Sequence, residues 1–189
     1  MKVNWLIVTF VESVLLILLA AGALLLSQSG RAEPSKIYVD TQLVIAVDTS
    51  FSVKDDEYQT QKEGVVAAFS DPQIISLMRA CNSRGVAVTY VEWSGSQAGE
   101  HQVYQVVPWT LISTENDIYE FQKALLAFSR TSAGETDLVS ALLYAGSLLQ
   151  NSPYRSSRKI ISVSGDGEQS FVHGAMSVGE ASVIASQAG

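Results

Sequence analysis

Apolar runs and stretches with helical spacing alternate along most of this chain. Residues 43–47 (LVIAV) form an unbroken apolar run, which is typical of a strand buried on both faces of a sheet. Residues 86–93 and 159–164 also have the composition of strands, and the intervening segments carry apolar side chains every three or four positions. This alternation predicts an α/β fold with a mostly parallel central sheet and helices on both faces.

Local signals predict where the helices begin and end. Residues 52–55 (SVKD) form a start signal for the first helix, and residues 71–72 (DP) separate it from a shorter one. Residues 114–117 (TEND) open the next helix. A further long helix ends at residues 151–153 (NSP), and the last helix is predicted over residues 175–188.

One pair of strands is predicted to be antiparallel. Residues 103–107 have the pattern of a strand that ends at Pro108. Only a short, glycine-containing segment connects this strand to residues 86–93, and it is too short for a helical crossover. A terminal proline is tolerated at a sheet edge, so the strand over residues 103–107 is predicted to be an edge strand.

The first 32 residues have the layout of a secretory signal peptide. Lys2 is followed by an apolar, leucine-rich run over residues 14–26, and Gly30 and Ala32 provide small residues where signal peptidase cleaves. The uninterrupted run is shorter than the roughly 20 residues of a spanning helix, although an uncleaved membrane anchor remains the alternative. We therefore expect a secreted or periplasmic domain, or one anchored and facing the periplasm.

The rest of the chain suits a single domain. Residues 33–41 are predicted to be a polar linker, and residues 42–189 are long enough for one ordinary core. The net charge of −7 becomes about −8 when the basic Lys2 and Arg31 and the acidic Glu12 are removed, which argues against nucleic acid as a partner. The single cysteine, Cys81, cannot form an internal disulfide and is expected to be a buried thiol.

Oxygen-bearing side chains occur next to three of the predicted element ends. Residues 48–52 (DTSFS) follow the first apolar run, residues 134–137 (GETD) precede a long helix, and residues 165–167 (GDG) follow another strand. The carboxyl ends of parallel strands meet at the edge of an α/β sheet where ligands bind, so these three loops are predicted to converge.

Together these loops supply the ligands that a hard cation prefers. Magnesium takes octahedral all-oxygen coordination and keeps several waters, which leaves a position for an outside ligand such as a partner's carboxylate. The predicted metal-site residues are two carboxylates, Asp48 and Asp166, and three hydroxyls, Ser50, Ser52 and Thr136.

This arrangement resembles the metal-ion-dependent adhesion site (MIDAS) of the von Willebrand factor type A (vWA) superfamily. Its pattern is Asp-x-Ser-x-Ser, then a threonine, then an aspartate in a later strand-end loop, and the likeness covers nearly all of residues 42–189. The resemblance implies a Rossmann-like vWA fold and a Mg²⁺ ion, with Mn²⁺ or Ca²⁺ as alternatives. It further implies direct ligation by Ser50, Ser52 and Thr136 and largely water-mediated contacts from Asp48 and Asp166.

Three further segments look like a branch of secreted bacterial proteins classed as a domain of unknown function: residues 91–95 (VEWSG), 107–110 (VPWT) and 163–167 (VSGDG). The vWA fold has two more strands after the fourth, so the chain is expected to be truncated at its C-terminus. Phe51 also departs from the pattern, because small residues are usual there, and it could alter what binds beside the metal. The implied function is an adhesion-type module that captures an acidic group on a protein partner.

Other interpretations of the same residues remain open. The serines at 50 and 52 could belong to a turn that caps the following helix, and Thr136 or Asp137 could cap the helix after them. Metal-assisted hydrolysis is the alternative function, because a cation with an open position can activate water. An inactive truncated fragment is a further alternative.

The sequence favours an enzymatic function less than a binding function. An aspartate nucleophile of the phosphatase type needs a second carboxylate two residues on, and that position is Ser50. The sequence has no Gly-x-Ser-x-Gly elbow, and both histidines, His101 and His173, fall in predicted loops with no evident pairing. No convincing nucleophile or general base is predicted.

Overall fold

A computed structural model describes residues 35–81, 84–95, 100–170 and 176–188. The chain divides into two units, Met1–Ser35 and Lys36–Gly189, and every element below belongs to the second. The signal-peptide prediction for residues 1–32 and the position of His173 lie outside the described residues, as does the side chain of Cys81. Among the described helices, none is long and apolar enough to cross a membrane.

The described strands form two sheets. A two-stranded parallel sheet pairs β1 (Ile37–Tyr38) with β5 (Tyr154–Arg155). The central sheet has four strands, whose spatial order is β4, β3, β2, β6. These strands are β2 (Thr41–Asp48), β3 (Val86–Gly95), β4 (His101–Ile112) and β6 (Arg158–Ser164).

Helices cover both faces of the central sheet. They are α1 (Asp55–Ser70), α2 (Pro72–Cys81), α3 (Glu115–Leu126), α4 (Leu138–Gln150) and α5 (Val178–Gln187). On one face, Phe69 of α1 and Phe121 of α3 pack with Tyr90 of β3. On the other face, Ala145 of α4 packs with Val44 of β2. Alternate residues of the strands thus enter two separate cores, which confirms the predicted α/β layers.

The strand directions confirm the predicted sheet and bring two of the site loops together. β2 is parallel to both β3 and β6, whereas β4 is antiparallel to β3 and pairs with no second strand among those described. In the register, Asp48 lies opposite Trp93 on one side, and Val47 lies opposite Ser164 on the other. The loops after β2 and β6 therefore leave the same edge of the sheet from neighbouring strands.

The prediction that the edge strand ends at Pro108 is wrong. β4 continues to Ile112, and its register shifts beside the proline, where Val88 pairs with Thr110 and Tyr90 with Val107. The irregularity places an extra residue in β4, and an edge strand tolerates a proline because its outer backbone groups need no ladder partner.

The predicted start of the first helix is also wrong. α1 begins at Asp55 with Lys54 as its N-cap residue, and the backbone N–H of Lys54 donates to Glu57 Oε2 at 2.9 Å. Ser52 lies two residues before Lys54, and its hydroxyl donates to Asp166 instead of capping the helix. The acidic side chains in the first turn, including Asp55 and Glu57, suit the positive end of the helix dipole.

Part of the segment predicted as a linker, residues 33–41, belongs to strands. Ile37 N–H donates to Pro153 O at 3.0 Å, and Val39 N–H donates to Arg155 O at 2.8 Å. Thr41 then begins β2. Backbone pairing extends the folded domain to positions before residue 42, which side-chain polarity alone did not indicate.

α5 packs on α4 through small residues, which gives a testable stability contrast. A Cβ atom at Gly146 would lie 3.1 Å from Ala185 Cα, whereas one at Gly64 in α1 would meet nothing within 4 Å. We expect Gly146→Leu to lower the free energy of unfolding by about 2 kcal/mol, because the side chain must displace α5. Gly64→Leu should instead stabilise by up to about 0.5 kcal/mol through helix propensity. Denaturant titration measures both, and equal effects would contradict the close packing.

The capping box of α3 gives a pH-dependent stability prediction. Asp117 Oδ2 accepts hydrogen bonds from Ser113 N, Ser113 Oγ and Thr114 N, and the Ser113 contacts lower the pKa of its carboxyl group. A lowered pKa means that the charged form stabilises the folded state above the ordinary value of 3.8, and that this contribution is lost as the pH falls below it. Asp117→Asn should therefore reduce stability at neutral pH, and the difference from wild type should shrink in acid. A pH-independent difference in thermal unfolding would contradict this origin.

Candidate metal centre

Three loops meet at the carboxyl edge of the central sheet, as predicted. Asp48 is the last residue of β2, and Thr49 N–H donates to Trp93 O at 2.9 Å, which keeps the start of its loop beside β3. The loop before α4 is fastened to this one by a 2.7 Å hydrogen bond from Phe51 N–H to Gly134 O. The third loop, residues 165–170, follows β6.

Four of the five predicted site residues form one continuous polar chain. Ser50 N–H donates to Asp48 Oδ1 at 2.6 Å, and Ser50 Oγ lies 3.0 Å from Ser52 Oγ. Ser52 Oγ donates to Asp166 Oδ1 at 2.6 Å. The hydroxyls of the first loop thus face the carboxylate of the third, although these residues are 114 positions apart in the sequence.

Thr136, in the second loop, borders the space between the first and third loops, which is called the hollow from here on. A Cβ atom at Gly167 would lie 3.3 Å from Thr136 Oγ1 and 3.6 Å from Ser52 Oγ, so both hydroxyl oxygens border the same point. Thr136 is tied to the third loop, because its N–H donates to Ser170 Oγ at 2.9 Å and its carbonyl accepts from Ser170 N at 3.1 Å. The structure therefore brings all five predicted residues together.

Asp48 has a carboxylate oxygen that is buried without a partner. Its side chain is completely buried, and Oδ2 has no hydrogen-bond partner among the described residues. Burial raises the pKa of the carboxyl group, and the nearby charge of Asp166 raises it further, while hydrogen bonds from Ser50 oppose both effects. The backbone N–H of Asp166 also lowers the pKa of Asp48, but it does not have the geometry of a hydrogen bond to Oδ2. A buried, unpaired carboxylate oxygen is costly, and a cation or its coordinated water would satisfy it.

Two glycines keep space around these oxygens. A Cβ atom at Gly165 would lie 2.9 Å from Asp48 Oδ2 and 3.2 Å from the Trp93 ring. At Gly167, a Cβ atom would fill the space bordered by Thr136 and Ser52. Both glycines thus leave room for a ligand that a larger residue would exclude.

The donor set fits a hard cation. Hydroxyl and carboxylate oxygens suit Mg²⁺, Mn²⁺ or Ca²⁺ better than the soft or imidazole-binding metals. Within the described residues, no group of three or more histidine, cysteine, aspartate or glutamate side chains is placed to hold a metal. A site here depends on hydroxyls as much as on carboxylates.

The helix-capping alternative applies to Asp137 and not to its neighbour. Asp137 Oδ1 accepts from Ser140 N at 3.1 Å and caps α4. Thr136 precedes the cap, and its hydroxyl borders the hollow instead. The two roles that the sequence left open are therefore divided between two adjacent residues.

His101 has a partner that the sequence did not reveal. It begins β4, and its Nδ1 lies 2.7 Å from Asp137 Oδ2 and 2.8 Å from Ser140 Oγ. The expectation that His101 lies in a loop without pairing is wrong, because the strand partner brings it over the start of α4. Both of these contacts are made by Nδ1, and they fix the orientation of the ring.

Two charged residues near the first loop have contacts that the sequence did not reveal. Glu92 accepts from Tyr58 Oη at 2.6 Å and from Thr131 N at 2.8 Å, and it is completely buried. Arg130 donates to the carbonyl oxygens of the first loop. From the sequence, Glu92 is interpreted as a packing or rim residue at a strand end, and the structure shows that it is buried in the packing. No signal in its own segment marks Arg130.

The fold is a vWA-like α/β fold, as the resemblance predicted. The chain belongs to a protein family described as a protein of unknown function (DUF1194), whose model matches residues 38–189. No curated protein matches the chain.

Two solved structures illustrate the likeness. Proximal thread matrix protein 1 (PTMP1) from the mussel byssus, with a zinc-occupied MIDAS motif, is 17% identical with a TM-score of 0.57, and the match covers 81% of this chain and 37% of that one. The pilus adhesin SpaC from Lactobacillus rhamnosus GG is 17% identical with a TM-score of 0.49, and the match covers 69% of this chain and 16% of that one. The chain thus spans well under two thirds of either protein.

Proposed function

We propose that this chain is an extracytoplasmic protein-binding module that depends on a divalent cation and captures an acidic group on a protein partner. Mg²⁺ is the proposed ion, and Mn²⁺ and Ca²⁺ are alternatives with the same preference for oxygen ligands. Ser50, Ser52 and Thr136 would bind the ion directly, and Asp48 and Asp166 would hold it largely through coordinated water.

The observation that carries this proposal is the buried Asp48 Oδ2, which lacks a partner in a hollow lined by hydroxyls. Proteins rarely bury a carboxylate oxygen in this way without a compensating charge. The zinc-occupied MIDAS motif of PTMP1, a protein with a similar fold, supports a divalent ion in this part of the chain.

The open side of the hollow suits a protein ligand. Asp166 and Gly167 are exposed, so the bound ion would remain accessible to a carboxylate from outside. Phe51 lies between the two serines of the first loop and is 60% exposed. It would offer an apolar contact beside the captured acidic group, as aromatic side chains commonly do at protein interfaces.

Calorimetric titration of Mg²⁺ and Mn²⁺ into the purified protein tests the metal site. We expect saturable binding with one ion per chain, and chelator-treated protein should unfold at a lower temperature than the metal-bound form. A chain that is folded by circular dichroism but binds neither ion would refute the metal-dependent function and favour an inactive domain.

Partner capture is tested by selecting peptides on immobilised protein. Peptides retained in Mg²⁺ and released by chelator should be enriched in aspartate or glutamate, and replacing that residue by asparagine or glutamine should abolish retention. Retention that survives chelation would contradict the metal-bridged mechanism. Metal-dependent cleavage of the bound peptides would favour the alternative hydrolase function.

The proposed location outside the cytoplasm has its own test. If residues 1–32 are a cleaved signal peptide, mass spectrometry of the protein from the extracytoplasmic fraction should give a chain that begins at Glu33. An intact chain beginning at Met1 in the membrane fraction would show an anchor instead. Recovery of the intact chain from the cytoplasm would refute the proposed location.

A further inference from the structure

Arg130 donates hydrogen bonds to three backbone carbonyl groups of the first loop, the loop after β2. Its Nη2 donates to Thr49 O at 2.8 Å, to Ser50 O at 2.7 Å and to Val53 O at 2.9 Å. The side chain is only 17% exposed, so these hydrogen bonds are largely shielded from water. One guanidinium group thus fixes three carbonyl groups within five consecutive residues.

The rest of the guanidinium group is also held in place. Arg130 Nε donates to Ser132 O at 3.2 Å, and Nη1 lies 3.1 Å from Asp55 Oδ1. The Tyr58 ring lies beside the group, with its centroid 5.7 Å from Cζ. Arg130 therefore links the loop before α4, which carries Thr136, to the loop after β2 through contacts of fixed direction.

These contacts orient the proposed metal ligands. Fixing the carbonyl groups of Thr49 and Ser50 fixes the peptide planes on both sides of Ser50, and hence the direction of its side chain. The hydroxyls of Ser50 and Ser52 lie 3.0 Å apart. Ligands that are already oriented favour Mg²⁺, which requires near-ideal octahedral geometry.

The same contacts withhold carbonyl oxygens from the site. Ca²⁺ takes six to eight oxygen ligands in flexible geometry and commonly recruits backbone carbonyls. A carbonyl oxygen that accepts from the Arg130 guanidinium could contact a divalent ion only by bringing two positive charges close together, and these charges repel strongly. Expansion of the coordination shell with the carbonyls of Thr49, Ser50 or Val53 is thereby opposed.

We propose that Arg130 is a positioning residue of the metal centre and sets its preference for Mg²⁺ over Ca²⁺ by holding three carbonyl groups of the first loop away from the ion. This inference rests on the proposed metal-dependent function. The selectivity of the site would then be set by a residue that is not itself a metal ligand.

The test compares the Kd values for Mg²⁺ and Ca²⁺ in the full chain and its variants by competition calorimetry. The wild type should bind Mg²⁺ more tightly than Ca²⁺, and Arg130→Met should reduce this preference about tenfold, the lower effect of removing a group that orients metal ligands. Arg130→Lys keeps the positive charge and can still reach carbonyl oxygens, so it should retain part of the preference. Arg158→Met makes the same chemical change at an exposed position at the start of β6, the end of that strand away from the metal site, and should leave the preference unchanged.

The outcomes separate this inference from the proposed function. If Arg130→Met only lowers the unfolding temperature and leaves the ratio of Kd values unchanged, Arg130 is merely structural and the inference fails. If Arg130→Met does not fold, an unchanged ratio in Arg130→Lys overturns the inference equally. A wild type that binds both ions without preferring Mg²⁺ refutes the inference alone, whereas one that binds neither refutes the proposed function as well.

Discussion

Asp48→Asn is expected to lose metal binding while the metal-free protein becomes more stable. Asparagine has nearly the same shape and can still accept the hydrogen bond from Ser50 N–H through its side-chain oxygen. It removes the negative charge that a cation needs and also the cost of burying that charge. The two effects therefore have opposite signs in the same variant.

The expected sizes follow from the environment of Asp48. A residue that holds a metal through coordinated water typically contributes about 10–100-fold to affinity, so the Kd for Mg²⁺ should rise at least by this factor. Without metal, the free energy of unfolding should rise by about 1 kcal/mol, because the neutral amide avoids the larger cost of burying an unpaired charge. Calorimetric titration and denaturant unfolding in chelator measure the two quantities.

Asp117→Asn is the matched control for this variant. It makes the same chemical change near the opposite edge of the sheet, because the end of β4 that precedes α3 pairs with the amino end of β3. Metal affinity should be unchanged in this control, and its stability should fall. If Asp48→Asn also binds Mg²⁺ with wild-type affinity, Asp48 is only a turn residue and the proposed centre is wrong.

Gly85→Ala is expected to destabilise the domain by about 3 kcal/mol. Gly85 has a φ of +81°, and a Cβ atom there would lie 2.7 Å from Ile112 O, a backbone atom that cannot move aside by changing rotamer. Both the left-handed backbone and the contact with β4 oppose any side chain at this position. Its own carbonyl accepts from Asp40 N–H at 3.0 Å, which fixes the turn between α2 and β3.

Denaturant unfolding of Gly85→Ala beside Gly64→Ala measures this effect. Gly64 has no atom within 4 Å of its added Cβ, so the same change there should stabilise α1 by about 0.5–1 kcal/mol. Because Gly85 precedes β3 at the edge opposite to the metal loops, the Mg²⁺ affinity of folded Gly85→Ala should match wild type. A cost below that of an ordinary surface substitution would show that the turn can relax.

Much of the fold was predictable because it depends on local patterns. The apolar run of β2 marks a strand buried on both faces, and Asp137 combines with the pattern of α4 to mark a helix start. The antiparallel edge strand followed from the shortness of its connection. The errors occurred where tertiary contacts overrode local signals, as at Pro108, which the edge position tolerates.

The composition of the candidate site was predictable for a similar reason. Asp48 ends β2, and Asp166 lies two residues after the end of β6. Neighbouring parallel strands deliver their following loops to one edge of the sheet. The sequence could therefore place the oxygen donors near one another. Whether they bind a metal remains a prediction that titration must decide.

The sequence by itself determined the order of the helices and central strands, the two-faced core and the residues that meet at the carboxyl edge, because these depend on periodicity and strand order. The short strands β1 and β5 were not predicted. Only the tertiary structure decided which groups support the residues at that edge. Arg130 contacts Ser50 across 80 residues of sequence, and His101 contacts Asp137 across 36. The buried Asp48 oxygen without a partner is likewise a property of packing. Such contacts depend on where distant side chains meet in three dimensions, and no local pattern in the chain encodes that distance.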